Sequence, residues 1–207
     1  MNFSRVLDDL LGQRSKVQLL RFLLRTRGEH TGRSLARELG LDHKTCHAAL
    51  RGLAQHGVVE CRRIGKALVY RLHDGHAIVK EILEPAFLRE RALIQDYAGK
   101  ALRLLGVPTD AVVLFGSVAR SEEEFGSDVD LLFLCPDVVT VAAARRNLEA
   151  TVSRLTREYG SVPQILVLPT RAFRMKVARG VPLYVEILKT GRVLRGKPFS
   201  EILMHVG

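Results

Sequence analysis

The sequence has little cysteine, no low-complexity segment, and no apolar run long enough to cross a membrane. Its three cysteines, Cys46, Cys61 and Cys135, are odd in number and widely scattered, which argues against a disulfide framework and favours a reducing compartment. The first residues lack the apolar stretch of a signal peptide. We therefore expect a cytoplasmic protein without membrane contact. The 207 residues, 47% of them apolar, allow one large or two small domains.

Acidic residues are scarce in the N-terminal third of the chain. Residues 1–75 hold 14 Lys and Arg against 7 Asp and Glu, whereas residues 76–110 hold five of each. The last part, residues 111–207, holds 13 basic and 10 acidic residues, and the whole chain carries a net charge of +10. A positive excess at one end is expected where a protein meets a polyanion, although a basic surface that only aids solubility would look the same.

The N-terminal third predicts three helices followed by a hairpin. The first helix covers Ser15–Arg27, a short second one is capped by Thr31, and a third runs from Asp42 to about His56. Two β-like runs, 58–64 and 67–72, then flank a tight turn at Gly65 and Lys66. The inward stripe of the third helix is predicted to be Cys46, Ala49, Leu50 and Leu53.

Helix, helix, helix and hairpin is the order of a winged helix-turn-helix, and residues 14–75 resemble the bacterial winged-helix transcription regulators. The resemblance rests on 34–41 (SLARELGL), 50–59 (LRGLAQHGVV), 62–66 (RRIGK) and 70–72 (YRL). It implies that the third helix enters the major groove of double-stranded DNA. The resemblance assigns DNA contacts to His43, Lys44, Thr45, His47 and Arg51 on the helix, and to Arg62, Arg63 and Lys66 on the wing.

Two alternatives compete with this interpretation. A winged helix also serves in protein contacts or dimerisation, because a fold does not determine a function. His43 and His47 are four residues apart on one helix and suggest a metal site with Cys46. The cysteine is better explained as a core residue, and no fourth ligand is close in sequence, so histidines that face solvent or DNA are favoured.

Residues 76–106 are predicted to form a helical connector. Pro85 does not fit a helix interior, so we expect a break or kink near Glu84. The helix that follows, Ala86–Leu105, would be about 30 Å long. Its wide apolar face suggests a homodimer, and the alternative is that this face packs on the protein's own two domains.

The most informative segment pairs 114–120 (LFGSVAR) with 127–133 (SDVDLLF). In a strand, Asp128 and Asp130 project from the same face, and Val129, Leu131 and Phe133 are predicted to be buried. Two carboxylates beside a Gly-Ser turn suit Mg²⁺ and a polyphosphate, because Mg²⁺ binds one or two carboxylates together with substrate phosphates. A glycine also lets backbone N–H groups approach phosphate oxygens.

This pattern resembles the signature of the DNA polymerase beta-type nucleotidyltransferase superfamily, and more narrowly the minimal nucleotidyltransferases. The matching residues are Gly116, Ser117, Arg120, Ser127, Asp128, Asp130 and Leu131. The resemblance implies that Asp128 and Asp130 are catalytic and bind Mg²⁺ or Mn²⁺. It further implies that a nucleoside triphosphate is held by Gly116, Ser117, Arg120 and Ser127.

The rest of the C-terminal part predicts a small mixed α/β domain. We expect strands at 111–115, 128–134 and 162–168, a helix at 141–159, two short helices at 170–179 and 182–189, and a last strand or tail near Leu194. The chain is thus divided into a winged helix-turn-helix domain (1–75), the connector (76–106) and a nucleotidyltransferase-like domain (107–207).

The third predicted strand carries an anomaly. In active members of the superfamily this strand supplies a third carboxylate, which completes the metal site and acts as general base. Here the facing position is assigned to Gln164, which cannot take a proton near neutral pH. Glu122, Glu123 and Glu124, in the loop that leads to Asp128, are more typical of solvated residues, and sequence does not place Glu186 near the site.

The leading hypothesis is therefore a DNA-binding regulator whose nucleotidyltransferase-like domain binds nucleotide and Mg²⁺, with catalysis weak or lost. One alternative is an active nucleotidyltransferase that moves NMP from an NTP to an acceptor hydroxyl. Another is an antitoxin-like protein that modifies or caps a partner. The basic, DNA-binding N-terminal module and Gln164 favour the first hypothesis.

Overall fold

The computed structural model describes residues 5–120, 122 and 127–204. The chain divides into two compact units, Met1–Arg91 and Ala92–Gly207. No helix among the described residues is both long and apolar enough to cross a membrane.

The N-terminal unit contains the three predicted helices and the hairpin. Its helices are α1 (Val6–Leu11), α2 (Arg14–Thr26), α3 (Gly32–Glu38) and α4 (His43–Gln55), and its strands are β1 (His30–Thr31), β2 (Val59–Ile64) and β3 (Ala67–Leu72). The strands form an antiparallel sheet in the order β1-β3-β2. Helix α1 was not predicted, and α2 ends at Arg27 in the left-handed conformation rather than at Gly28.

Local signals explain where α3 and α4 begin. The Thr31 side chain accepts a hydrogen bond from the backbone N–H of Ser34, and the Asp42 carboxylate accepts from the N–H groups of Lys44 and Thr45. These side chains satisfy donors that the first helical turn leaves without partners. Both predicted caps are confirmed. The stripe Cys46, Ala49, Leu50 and Leu53 is fully buried and packs against α2 leucines such as Leu19, Leu20 and Leu23.

The predicted break near Glu84 is a change of helix type. A π-helical turn, Val79–Leu83, leads into helix α5 (Glu84–Leu105), with Pro85 in the first α-helical turn. Proline is tolerated there because the first N–H groups of a helix have no intrahelical acceptor. Val79, Leu83 and Phe87 belong to the core of the N-terminal unit, and Tyr97 to Leu105 contribute to that of the C-terminal unit.

The C-terminal unit is built on a four-stranded mixed sheet in the order β6-β5-β4-β7. Its elements after α5 are β4 (Ala111–Phe115), α6 (Gly116–Arg120), β5 (Val129–Cys135), α7 (Val138–Tyr159), β6 (Pro163–Pro169), α8 (Thr170–Ala178), α9 (Pro182–Thr190), β7 (Arg192–Gly196) and α10 (Phe199–Met204). Strands β5 and β6 are parallel, whereas β4 is antiparallel to both β5 and β7.

Helices cover both faces of this sheet. Leu131, Phe133 and Cys135 of β5 pack with residues of α7, whereas Leu132 and Leu134 pack with residues of α8, α9 and α10. Leu131 to Cys135 are all fully buried, which explains the nearly continuous apolar run of this strand. Because side chains alternate along β5, Asp130 shares its face with Leu132 and Leu134, the side on which α9 lies.

Helices α7 and α10 of the C-terminal unit also differ from expectation. Helix α7 begins three residues earlier than predicted, because Asp137 caps it by accepting a hydrogen bond from the backbone N–H of Thr140. The terminal helix α10 was not predicted at all, although its Ile202 is buried against the sheet.

Candidate nucleotide site and nucleic-acid interface

Three neighbouring strands bring the candidate site residues into one row. Phe115 at the end of β4 pairs with Asp130 of β5, and Asp130 pairs with Gln164 of β6. Residues opposite each other in a sheet have side chains on the same face, so Gln164 lies beside Asp130. The assignment of Gln164 to the position that faces the aspartates is confirmed.

Gly116 makes room for Asp130. Its φ is +72°, a left-handed conformation, and a Cβ at this position would lie 1.9 Å from Asp130 Oδ2. The predicted Gly-Ser turn is the first residue pair of the short helix α6. The absence of a side chain at Gly116 thus allows the end of β4 to pass directly against the carboxylate of β5.

The third position of the site holds an amide that donates a hydrogen bond. Gln164 Nε2 donates to Asp128 Oδ2 over 2.8 Å. Within the described ranges 5–120, 122 and 127–204, no three His, Cys, Asp or Glu side chains converge in a way that could hold a metal ion. The Asp128 and Asp130 pair therefore stands without a third acidic ligand in this part of the chain.

The electrostatics of Asp130 favour a cation. Burial raises the pKa of Asp130, the charge of Asp128 raises it further, and the charge of Arg120 lowers it. None of the described residues donates a hydrogen bond to this half-buried carboxylate. Two carboxylates, one of them without a donor, fit the oxygen ligands of Mg²⁺ or Mn²⁺.

A pocket of about 290 Å³ adjoins Asp130. It is lined by Gly116, Ser117, Arg120 and Asp130 together with residues of α9 that include Glu186. Two predicted site residues, Asp128 and Ser127, do not line it. The carbonyl of Ser127 accepts a hydrogen bond from Ser161 Oγ. Of the acidic loop, Glu123 and Glu124 lie outside the described residues.

Arg120 pairs with glutamates rather than with the aspartates of the motif. Its Nε donates to Glu122 Oε2 over 2.7 Å, and its Nη1 donates to Glu186 Oε1 over 2.9 Å. Glu186 is the site residue that sequence reasoning missed. It lies 66 positions from Arg120 on a separate helix, so no local pattern connects the two residues.

Helix α4, which the sequence predicted as the third helix, presents the expected polar surface. His43, Lys44, Thr45, His47 and Arg51 of α4 are all exposed. His43 and His47 also line a groove of about 550 Å³ together with Arg33, Lys66 and Tyr70. The groove therefore runs between the predicted recognition helix, the start of α3 and the hairpin.

The two wing arginines differ in their surroundings. Arg62 Nη2 donates to both carboxylate oxygens of Glu29, over 2.5 and 2.6 Å, and this hydrogen bond lowers the pKa of Glu29. Arg63 is the next residue of β2, so its side chain leaves from the opposite face of the hairpin. Arg63 and Lys66 form no salt bridge with any residue that the structure describes.

The alternative metal site on α4 is not supported. Cys46 is fully buried, and its Sγ lies 3.6 Å from the carbonyl oxygen of Gly32 as a donor. His43 and His47 are exposed on the other side of the helix. The thiol therefore belongs to the core, and burial raises its pKa.

Comparison with known proteins finds one family that matches part of the chain. The nucleotidyltransferase domain family matches residues 99–176, which extend from α5 to α8. No curated protein matches the chain.

Several solved structures are similar to parts of the chain. One is a crystal structure of a toxin–antitoxin with AMP-PNP, at 18% identity over 53% of this chain and 78% of that chain, with a TM-score of 0.38. Another is the AntR antimony-specific transcriptional repressor, at 24% identity over 48% and 80%, with a TM-score of 0.34. A third is a homodimeric winged helix-turn-helix DNA-binding domain from Mycobacterium bovis, at 24% identity over 45% and 85%, with a TM-score of 0.34.

The family match lies within the C-terminal unit, and the N-terminal unit is identified by its architecture. Helices α2, α3 and α4 followed by the β2–β3 hairpin make the N-terminal unit a winged helix-turn-helix. The matched segment carries the Gly116-Ser117 and Asp128-x-Asp130 motif on adjacent strands of the mixed sheet. The chain thus joins a winged helix-turn-helix unit to a domain that matches the nucleotidyltransferase domain family over residues 99–176.

Proposed function

We propose that this protein is a DNA-binding transcriptional regulator whose C-terminal domain binds a nucleoside triphosphate together with Mg²⁺ or Mn²⁺, and that nucleotidyl transfer is weak or lost. The observation that carries the proposal is the amide of Gln164, which donates a hydrogen bond to Asp128 where a third carboxylate would serve catalysis. The basic winged helix-turn-helix unit supplies the second half of the argument.

Each residue of the site has a role in this proposal. Asp128 and Asp130 would hold the divalent ion, which when bound offsets the negative charge of the triphosphate. Gly116, Ser117 and Arg120 line the pocket, where the backbone N–H groups of the first two would approach phosphate oxygens and the guanidinium of Arg120 would bind the phosphate chain. Ser127 is proposed as a further nucleotide contact because it directly precedes Asp128.

The missing proton acceptor limits the chemistry. Transfer of a nucleotidyl group requires the attacking hydroxyl to lose its proton, and a glutamine side chain cannot accept it. General-base catalysis contributes roughly 10²- to 10⁴-fold, so its absence would leave slow transfer at most. Binding of the nucleotide would persist, because positioning and charge neutralisation need only the two aspartates and Arg120.

The nucleotide half of the proposal is tested by binding and transfer in parallel. We expect the full chain to bind MgATP or another Mg–NTP in isothermal titration, and Asp128→Ala with Asp130→Ala to abolish binding. Incubation with labelled NTPs and Mg²⁺ or Mn²⁺ should give little or no labelled product. Fast labelling that Asp128→Ala abolishes would show an active enzyme instead.

The DNA half of the proposal rests on the exposed residues of α4 and the wing. We expect double-stranded DNA to bind with an affinity that falls as salt rises, since Lys and Arg contacts to phosphates release counterions. Arg63→Ala should reduce the slope of log affinity against log salt by about 1. Arg62→Ala should have a smaller effect, because Arg62 must first leave Glu29.

A matched control is Arg71→Ala, which removes the same charge from β3, where the guanidinium is paired with Glu60 over 2.6 Å. If all three variants weaken binding equally, only the net charge matters and the wing has no defined role. DNA binding should also be measured with and without Mg–NTP. A regulator that senses nucleotide must change its DNA affinity, and linkage requires DNA to change nucleotide affinity by the same factor.

The active-enzyme alternative retains one supporting observation. Glu186 lines the same pocket as Asp130 and could bring an acidic group to the site. In the structure, however, this carboxylate pairs with Arg120. The transfer assay above separates the two functions.

A further inference from the structure

Glu186 occupies the wall of the nucleotide pocket without belonging to the motif. It lies on α9, outside residues 99–176, the segment that matches the nucleotidyltransferase domain family. Its neighbours on that helix, Tyr184 and Ile187, are buried against the sheet, so the backbone that carries Glu186 is anchored. The Glu186 side chain itself is 56% exposed.

Arg120 is shared between two carboxylates. Its Nε donates to Glu122 and its Nη1 to Glu186, which approach the guanidinium at 2.7 and 2.9 Å. The hydrogen bond to Glu122 raises the pKa of Arg120, and the charges of Glu122, Glu186 and Asp130 act in the same direction. The guanidinium is thus fully charged, but two of its five N–H groups are already engaged.

The pocket and its rim are negative before any ligand arrives. Glu122 and Glu186 pair with Arg120, and the charge of Asp130 also acts on it, so three carboxylates surround one arginine and the excess charge is negative. A triphosphate adds further negative charge and needs the donors of Arg120 for its own oxygens. The N–H that points to Glu186 cannot serve both acceptors at full strength.

We infer that Glu186 is a latch on Arg120: it holds the guanidinium at the pocket in the free protein and competes with the phosphate chain of the nucleotide for it. This inference rests on the proposed nucleotide binding. Glu186 is here a positioning residue that acts through Arg120. Its carboxylate lowers the affinity for nucleotide, and it does so more strongly for ligands with more phosphates.

The test is the Glu186→Gln substitution, which keeps the side-chain shape and removes its charge. With MgATP as the probe in isothermal titration, we expect E186Q to bind about 1.5- to 5-fold more tightly than the natural chain, the range typical of an exposed ion pair. The gain should be smaller with AMP. The matched control is Glu149→Gln, which removes an exposed charge from α7 of the same unit and should not alter affinity.

A second variant distinguishes competition for Arg120 from simple repulsion between Glu186 and the phosphates. In a chain that already carries Arg120→Gln, the added E186Q change should give a clearly smaller gain, since no guanidinium remains to be released. The latch is overturned if E186Q raises the affinity for MgATP equally in the natural chain and in the Arg120→Gln chain. It is also overturned if E186Q does not raise the affinity of the natural chain.

The failures of the two proposals are distinguishable. If the natural chain binds MgATP and loses it in Asp130→Asn, but E186Q binds no more tightly, the latch alone is wrong. If the natural chain binds none of the four Mg–NTPs, the proposed nucleotide site is wrong and the latch falls with it. Thermal unfolding of each variant confirms that the chain is folded.

Discussion

The sharpest perturbation of the site is Gln164→Glu, which puts a carboxylate where the amide now lies. Gln164 pairs with Asp130 across β5 and β6 and donates to Asp128 over 2.8 Å. The two side chains have nearly the same shape, so the substitution changes charge and hydrogen bonding while packing stays the same. It would return the site to three carboxylates.

The cost in the metal-free protein follows from the lost contact. A hydrogen bond to a charged group contributes about 1.5–3 kcal/mol when it is well shielded. Two like charges about 4 Å apart repel by about 1 kcal/mol in water and about 4 kcal/mol near a protein surface. Because Gln164 is exposed, the lower ends apply, and we expect Gln164→Glu to lower the free energy of unfolding by about 1–3 kcal/mol at pH 7.

A divalent ion should reverse that penalty. Three carboxylates bind a cation more strongly than two, and the relief of repulsion is part of the binding free energy. We expect Gln164→Glu to tighten Mn²⁺ binding at least about tenfold, which corresponds to about 1.4 kcal/mol. The restored proton acceptor should also raise pyrophosphate release from a Mg–NTP by about 10²-fold or more.

The assays are chemical unfolding with and without Mg²⁺, a Mn²⁺ titration followed by electron paramagnetic resonance, and pyrophosphate release. Gln164→Met is the matched control, because it removes the donor without adding charge. It should lose some stability and gain no affinity for Mn²⁺. If Gln164→Glu is as stable as the natural chain without metal and binds Mn²⁺ no better, the geometry assigned to Gln164 is wrong.

Three further outcomes test the surroundings of the site. Burial, and then the charge of Asp128, raise the pKa of Asp130, so ionising this carboxyl costs more free energy in the folded than in the unfolded chain. Asp130→Asn should therefore raise the Tm of the metal-free protein at pH 7. This increase in Tm should vanish below about pH 4, where the carboxyl is protonated even in the unfolded chain. Gly116→Ala should abolish MgATP binding and lower the free energy of unfolding more than Gly180→Ala does. Both glycines have a positive φ, at +72° and +70°, but a Cβ at Gly180 would meet no atom within 4 Å. Equal losses of stability in calorimetry would contradict the role of Gly116. Phe133→Ala removes a fully buried ring of β5 and should lower the free energy of unfolding by about 3–5 kcal/mol, and a change under about 1 kcal/mol would contradict the packing of this sheet.

Sequence patterns predicted the parts of this protein that depend on neighbouring residues. Thr31 and Asp42 were recognised as helix caps because a cap bonds within its own first turn. The buried stripe of α4 followed from helical spacing, and the burial of Val129, Leu131 and Phe133 followed from the alternation of a strand. These signals extend over only a few residues, so they can be read without knowledge of the fold.

Contacts between distant segments were decided by the tertiary structure alone. The pairing of Arg62 with Glu29 depends on where the hairpin lies beside β1, and the pairing of Arg120 with Glu186 depends on α9 covering the face of the sheet that carries Asp130. Gln164 depended on both kinds of information. The family resemblance indicated its strand, but only the register of β5 and β6 showed that its amide lies at Asp128. The sequence by itself therefore determined a winged helix and a Gly-Ser and Asp-x-Asp platform, since local propensity and periodicity suffice for both. Which carboxylates face that platform, and which of them Arg120 holds, was decided by the order of the strands and the packing of α9 on the sheet.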